Sequence, residues 1–194
     1  VRVSDIKRSF DEFLLNKSRN AGSNAETSNA YLTALQQLQD VLVPGEGNIG
    51  TALESFFASL HDISNVPAEM GPRVVAMERG RAVADAFNGL AHSISALKSG
   101  LLTQTSQSLD DLNALTQGLL NVNLQLTKAD AGASKSLLDS RDMLIDKISQ
   151  FVEVNTSVDR QGRATLRLGN SMAGPKIVDG AKKYAVRMDA LDNK

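Results

Sequence analysis

The chain has 194 residues, with 21 Lys and Arg against 22 Asp and Glu and a formal net charge of -1. That balance argues against a strongly basic nucleic-acid binder, and 42% hydrophobic with 22% charged residues suits a chain that buries a core. The absence of cysteine excludes thiol nucleophiles, disulfides, Cys-ligated zinc and iron-sulfur clusters together.

Imidazole chemistry is thin as well, because His61 and His92 are the only histidines. Six Phe, two Tyr and no Trp starve any stacking surface for bases or sugars. There is no 18-residue apolar run and no basic n-region with an apolar h-region, so neither a membrane span nor a secretory signal is expected. A start at Val1 without Met is expected of an excised segment. The length suits one domain, or one plus the start of a second.

From Ser4 to Val43, Ile6, Phe10, Phe13, Lys17, Ala21, Asn24, Ser28, Tyr31, Leu35, Leu38 and Leu42 recur at spacings of three and four. The spacing predicts a first helix with a stripe that is polar in its middle, stopped at Pro44-Gly45. Thr51 with Glu54 predicts a capping box for a second helix whose buried face is Leu53, Phe56, Phe57, Leu60 and Ile63. Asn65-Val66-Pro67 ends it.

Pro72 suits the first turn of a third helix, and no further proline interrupts the chain until Pro175. Its stripe runs through Val83, Phe87, Leu90, Ile94, Leu97, Leu101, Thr105, Leu109, Leu112, Leu115, Leu119, Val122 and Leu126. If continuous to Thr127, this helix is about 84 Å long, twice the roughly 42 Å diameter of a compact globule of this chain length. An elongated particle is therefore expected, unless the helix breaks at Gly80, Gly89, Gly100 or Gly118.

After a break at Ala129 to Ala133, a fourth helix carries Leu137, Leu138, Leu144, Ile145, Ile148 and Phe151. The period then falls to two: Val152, Val154, Thr156 and Val158, an Asp159-Arg160-Gln161-Gly162 turn, then Ala164, Leu166 and Leu168, which is a β-hairpin. Ile177-Val178, Asp179-Gly180 and Tyr184 to Met188 predict one more strand pair. The expected fold is mainly α with an α+β character, an elongated bundle of long helices over 1–150 followed by a β-rich segment over 151–194 that opens an incomplete outer domain.

The motifs that could carry chemistry do not. Gly45-Glu46-Gly47-Asn48-Ile49-Gly50 spells the dinucleotide fingerprint, but that site needs a preceding strand in a βαβ unit and the predicted neighbours are helices. Serine, histidine and aspartate occur without a strained elbow, and the two histidines lack the i, i+4 spacing of a helical metal site. Asp110-Asp111, Asp130, Asp139 and Asp142 fall off the leucine stripe and read as solvated or partner-facing.

Three strings resemble one family. Leu137-Leu138-Asp139-Ser140-Arg141-Asp142-Met143-Leu144-Ile145-Asp146-Lys147-Ile148-Ser149, with the hairpin and Lys176 to Gly180 after it, is similar to the LLDxRDxLLxxLS segment of the flagellar hook-associated protein 1 family. Thr51 to Phe57, Asp62 to Pro67, Arg73 and Ala84 to Asn88 resemble that family's ALxxFFxxxxDLxxNP region and the helix after it. Arg8-Ser9-Phe10-Asp11-Glu12-Phe13-Leu14-Leu15 is similar to its RxxDxFL string. The three occur in the family's order and span nearly the whole chain.

The resemblance implies a structural subunit at the hook-filament junction of the bacterial flagellum, with no enzyme activity, no cofactor and no metal. It implies secretion through the type III export channel to an extracellular site, with an export chaperone acting on a C-terminal region missing here. The implied partners are hook and junction proteins and further copies of the protein in lateral assembly; neither nucleic acid nor membrane is among them. Family members also carry terminal helical segments that pair as coiled coils, and this sequence lacks them. The charged residues off the stripe, Arg73, Glu78, Arg81, Lys98, Asp110 and Asp111, are the expected subunit contacts. The helical stripes alone fit equally a secreted coiled-coil binder of the adhesin or tip class.

Overall fold

The computed structural model describes residues 3–42, 48–128 and 134–188. Four helices are followed by a small sheet: α1 Val3–Leu42, α2 Ile49–Asn65, α3 Met70–Leu126 and α4 Ser134–Phe151, then β1 Val154–Val158, β2 Ala164–Leu168, β3 Lys176–Asp179 and β4 Lys182–Lys183. The chain divides into two compact units, one made of Val1–Tyr31 with Gln104–Lys194 and the other of Leu32–Thr103. The predicted breaks at Pro44–Gly47 and Ala129–Ala133 lie outside the described residues.

Helix α3 runs for 57 residues through Gly80, Gly89, Gly100 and Gly118 without interruption. Two of these glycines sit where another helix comes close, Gly80 against the Phe56 ring and Gly118 against Leu144. Helix α2 starts two residues earlier than its expected cap. Asn48, in extended conformation, accepts from Thr51 N through its side chain, and the Thr51 hydroxyl turns back to Asn48 O. Asn48 already takes Thr51 N, the donor that the Glu54 side chain of a Thr51 capping box would have taken, which is why the cap is displaced.

The strands form an antiparallel meander in the order β1-β2-β3-β4. Alternation gives the register directly: Val154 opposes Leu168, Thr156 opposes Leu166 and Val158 opposes Ala164. The predicted turn closes with Gly162 N donating to Asp159 O, and the φ of 84° at Gly162 needs a residue without a side chain. An irregularity between Leu166 and Arg167 turns both Ile177 and Val178 inward, so consecutive apolar residues on β3 are both buried. Tyr184 to Met188 is irregular rather than a strand; the fourth strand stops at Lys183.

The core lies in the first unit. Leu112 and Leu119 of α3 and Ile145 and Ile148 of α4 close on Val154, Ala164, Leu166, Ile177 and Val178 of the sheet. The C-terminal half of the α3 stripe is therefore buried as expected, while Phe87 and Ile94 in its N-terminal half are exposed. Of the expected α2 face, Phe56 is partly covered, but Phe57 and Leu60 are exposed and the buried position is Ser59, whose hydroxyl donates to Phe56 O.

The largest departure is on α1, where the predicted stripe faces solvent: Phe13, Tyr31, Leu35 and Leu42 are all exposed. Ile6 and Phe10 lie outside the described side chains. Within the first unit α1 lays Asn16, Arg19, Asn20 and Ser23 inward instead, one polar row at helical spacing. Its partner there is the outer edge of β1, which offers backbone N–H and C=O groups, and polar side chains satisfy such an edge where leucines cannot.

The Asp159 turn carries a pH signature. Partial desolvation pushes the Asp159 carboxyl up, but hydrogen bonds from the Arg163 side chain and from the Arg163 and Gln161 amides hold it net below the ordinary carboxylate range. A lowered folded pKa stabilises the fold above the unfolded value of about 3.9, and that contribution disappears as pH falls through the folded value. Thermal melting between pH 5 and pH 2 is expected to fall less steeply for Asp159→Asn than for the parent chain. Equal slopes would show that the turn is not stabilised by the charge.

Candidate assembly surface

Three asparagines use one device, two to hold a helix to the sheet and one to hold α3 to the segment after β4. A carboxamide offers one acceptor and two donors, so it can occupy both the N–H and the C=O of a single residue as a neighbouring strand would. Asn123 of α3, fully buried, accepts from Ala164 N at 2.9 Å and donates to Ala164 O at 2.9 Å and Gly180 O at 2.8 Å. Asn113, ten residues earlier, does the same to Val186, donating to its carbonyl at 2.9 Å and accepting from its amide at 3.1 Å. Asn16 of α1 pairs with Thr156, donating to its carbonyl at 2.9 Å and accepting from its amide at 3.3 Å. With its nitrogen turned toward acceptors, Asn20 adds a bond to Val154 O at 3.1 Å.

Charged side chains complete the attachment. Arg19 donates to Asp146 at 2.7 Å, tying α1 to α4. Arg141 donates to Gly162 O at 2.7 Å and pairs with Asp142, so the Leu137-to-Ser149 string clamps the hairpin turn. On the outward face of the sheet, Lys176 pairs with Asp179, and that hydrogen bond holds the Asp179 carboxyl below its usual range.

The six predicted contact residues are all exposed. The structure joins Glu78 to Arg81 by a salt bridge one helical turn apart. Arg73 donates to Pro67 O at 2.7 Å and so braces the connection from α2 to α3. Lys98 lies further along α3, and Asp110 borders a cavity of about 370 Å³ together with Leu109, Asn113, Val186 and Met188. Asp111 follows it on the exposed side.

Sequence reasoning missed a more conspicuous surface, because it assigned the apolar residues to the core. Met70, Val74 and Met77 follow one another at spacings of four and three on α3 and are exposed, as are Phe57 and Leu60 on α2. Helical phase relative to the packed Phe56 and Gly80 puts Phe57, Leu60, Met70 and Met77 on one side of the pair. Asp62 and Val75, which line a cavity of about 350 Å³, fall on the other. Exposed apolar rows of this kind mark contact surfaces.

The element before Asn48 is α1 and the one after it is α2, so the glycine-rich string is not in a βαβ unit, and Gly45 to Gly47 lie outside the described residues. Among the described residues no group of three His, Asp or Glu side chains is placed to hold a metal, and no helix is long and apolar enough to cross a membrane.

The decisive observation is a family model. The one for the helical domain of flagellar hook-associated protein FlgK matches residues 35–194. The chain belongs to the FlgK helical-domain family. Flagellar hook-associated protein 1 of Bacillus subtilis is 28% identical over 94% of this chain and 37% of its own length, and that of Escherichia coli is 24% identical over 93% and 33%. The solved structure of the flagellar hook junction protein FlgK from Burkholderia pseudomallei is similar with a TM-score of 0.74 and 26% identity, over 89% of this chain and 30% of that one. The chain thus spans about a third of the length of the FlgK relatives it matches, and its mainly helical fold with a small sheet is similar to the matched part of that solved structure.

Proposed function

We propose that this chain is part of a structural subunit of the bacterial flagellum at the hook-filament junction, acting by lateral assembly and not by catalysis. The observation that carries the reading is the FlgK helical-domain match across residues 35–194, supported by the likeness to a solved hook junction protein. The physical case is one of leverage: side-by-side helices accumulate contact along their length, which suits a wall that transmits torque. The FlgK family favours this role over a generic adhesin or tip binder, for which only the helical stripes speak.

On this reading the protein is secreted through the flagellar export channel and reaches an extracellular position, and its partners are hook and junction proteins and further copies of itself. Terminal coiled-coil segments and an export chaperone acting on a C-terminal region belong to the same proposal. Residues 1–150 are its helical rod and 151–194 the opening of a β-rich outer domain. Arg73, Glu78, Arg81, Lys98, Asp110 and Asp111 are the proposed lateral contacts, with the exposed Phe57-to-Met77 row beside the first three.

Deleting the gene is expected to leave cells with hooks and no attached filaments, shedding filament protein into the medium. The full-length gene restores motility. Reversing the charges of Arg73, Arg81, Asp110 and Asp111 in the restored gene lowers filament retention without lowering secretion. Intact filaments on the deleted strain would overturn the assignment.

A further inference from the structure

Methionine ranks among the more buried residue types. Here all five methionines, Met70, Met77, Met143, Met172 and Met188, are exposed, between 44% and 73%, and none belongs to the core cluster. The core is built from Leu, Ile, Val and Ala, so its packing does not depend on any thioether. With no cysteine in the chain, these sulfurs are the only soft nucleophiles it offers to an oxidant.

Two of the five differ from the rest in their surroundings. Met70 and Met77 stand one on each side of Val74 in the exposed row of α3, and helical phase puts the exposed Phe57 and Leu60 of α2 on the same side of the helix pair. Met143 sits on α4, Met172 in the loop after β2, and Met188 at the end of the described chain. Oxidation at Met70 and Met77 therefore places two polar, chiral sulfoxides among the exposed apolar side chains of Val74, Phe57 and Leu60.

We propose that Met70 and Met77 are reversible oxidation sites that change the polarity of the α2–α3 face while leaving the fold intact. The reactant is a two-electron oxidant, a peroxide or a hypohalous acid. With hydrogen peroxide the thioether sulfur attacks one oxygen, the O–O bond breaks, and the proton of the transferred hydroxyl passes to the departing hydroxide, leaving a sulfoxide and water; with a hypohalous acid sulfur takes the halogen as hydroxide leaves, and hydroxide then displaces halide and loses its proton to give the same sulfoxide. Sulfur is oxidised by two electrons and the oxidant is reduced by two. Methionine sulfoxide reductases reverse the step with thiol electrons. The inference concerns the chain's own chemistry and does not depend on the flagellar reading.

The test treats the purified chain with hydrogen peroxide and follows each methionine by peptide mass spectrometry. Oxidation at Met70 and Met77 is expected at rates within about threefold of a free methionine peptide. The thermal midpoint is expected to shift by less than about 2 °C after complete reaction, since no core contact is lost. Retention on a hydrophobic column should fall, and a Met70→Leu, Met77→Leu chain should lose clearly less of it under the same treatment, since only Met143, Met172 and Met188 are left to oxidise. Protection of either residue by tenfold or more would overturn the proposal, as would unfolding on oxidation or an equal drop in retention for the leucine variant.

Discussion

Replacing Asn123 with leucine, which branches in the same way but is larger, is expected to destabilise the first unit by about 3 kcal/mol or more. The change strands Ala164 N and Ala164 O in a buried site and removes the bond to the half-buried Gly180 O, and each buried orphan costs roughly 1 to 3 kcal/mol. Amide exchange at Ala164 reports the effect at its source, and urea unfolding followed by circular dichroism reports its size. Asn123→Asp separates the hydrogen bonds from the packing. Its carboxyl keeps the Ala164 N–H but faces two carbonyl oxygens, so its folded pKa rises above the unfolded value of about 3.9. Stability of that variant is then best below the unfolded pKa and falls as pH rises through the folded one. A leucine variant within about 1 kcal/mol of the parent would show that Asn123 fills space and nothing more.

Gly174→Ala is expected to be the most damaging of the conservative changes. A Cβ there would fall 1.9 Å from Leu168 O and 3.4 Å from Ser171 O, both backbone atoms. Leu168 cannot retreat, because it ends β2 opposite Val154 and its amide donates to Pro175 O. The loop must open instead, releasing the bonds from Leu168 N to Pro175 O at 2.9 Å and from Arg167 to Gly174 O at 3.1 Å. A loss of about 2 to 4 kcal/mol is expected, in the range of mutations that force backbone to move. Gly89→Ala supplies the opposite sign from a similar chemical change. Nothing lies within 4 Å of its added methyl on α3, so removing a helix-interior glycine should stabilise by up to about 1 kcal/mol. Urea midpoints for the two alanine variants on either side of the parent would bear out both; a neutral Gly174→Ala would mean that the loop after β2 is not held as described.

Much of this fold could be read from letters because the signals are local. Period two from Val154 to Leu168, with Asp159 to Gly162 between, predicts a hairpin whose register the structure reproduces pair by pair. The proline-free run from Val74 to Leu126 predicts one helix, and one helix forms. The Leu137-to-Ser149 string points to the FlgK family because its order of charged and apolar residues is specific, and Arg141 within it holds Gly162 O. None of these conclusions requires knowing what lies across from a residue.

The failures share one cause, which is that periodicity reports an amphipathic face without naming its partner. On α1 the stripe of Phe13, Tyr31 and Leu35 looks like the packed side, yet a strand edge lies opposite its first half and recruits Asn16 and Asn20, while Arg19 turns to Asp146 of α4. On α2 the sequence offers Phe56 and Phe57 as equals, and only the approach of Gly80 chooses Phe56. Asparagine is the least legible residue of all, since its ladder-like pairing with Ala164, Thr156 or Val186 depends on chain segments 41 to 140 residues away. The sequence by itself determined the helices, the hairpin, the family and the lack of thiol chemistry, all set by neighbours along the chain. Tertiary structure decided which faces are buried, which remain exposed, and how polar side chains join helix to sheet, because burial is a property of what arrives from elsewhere.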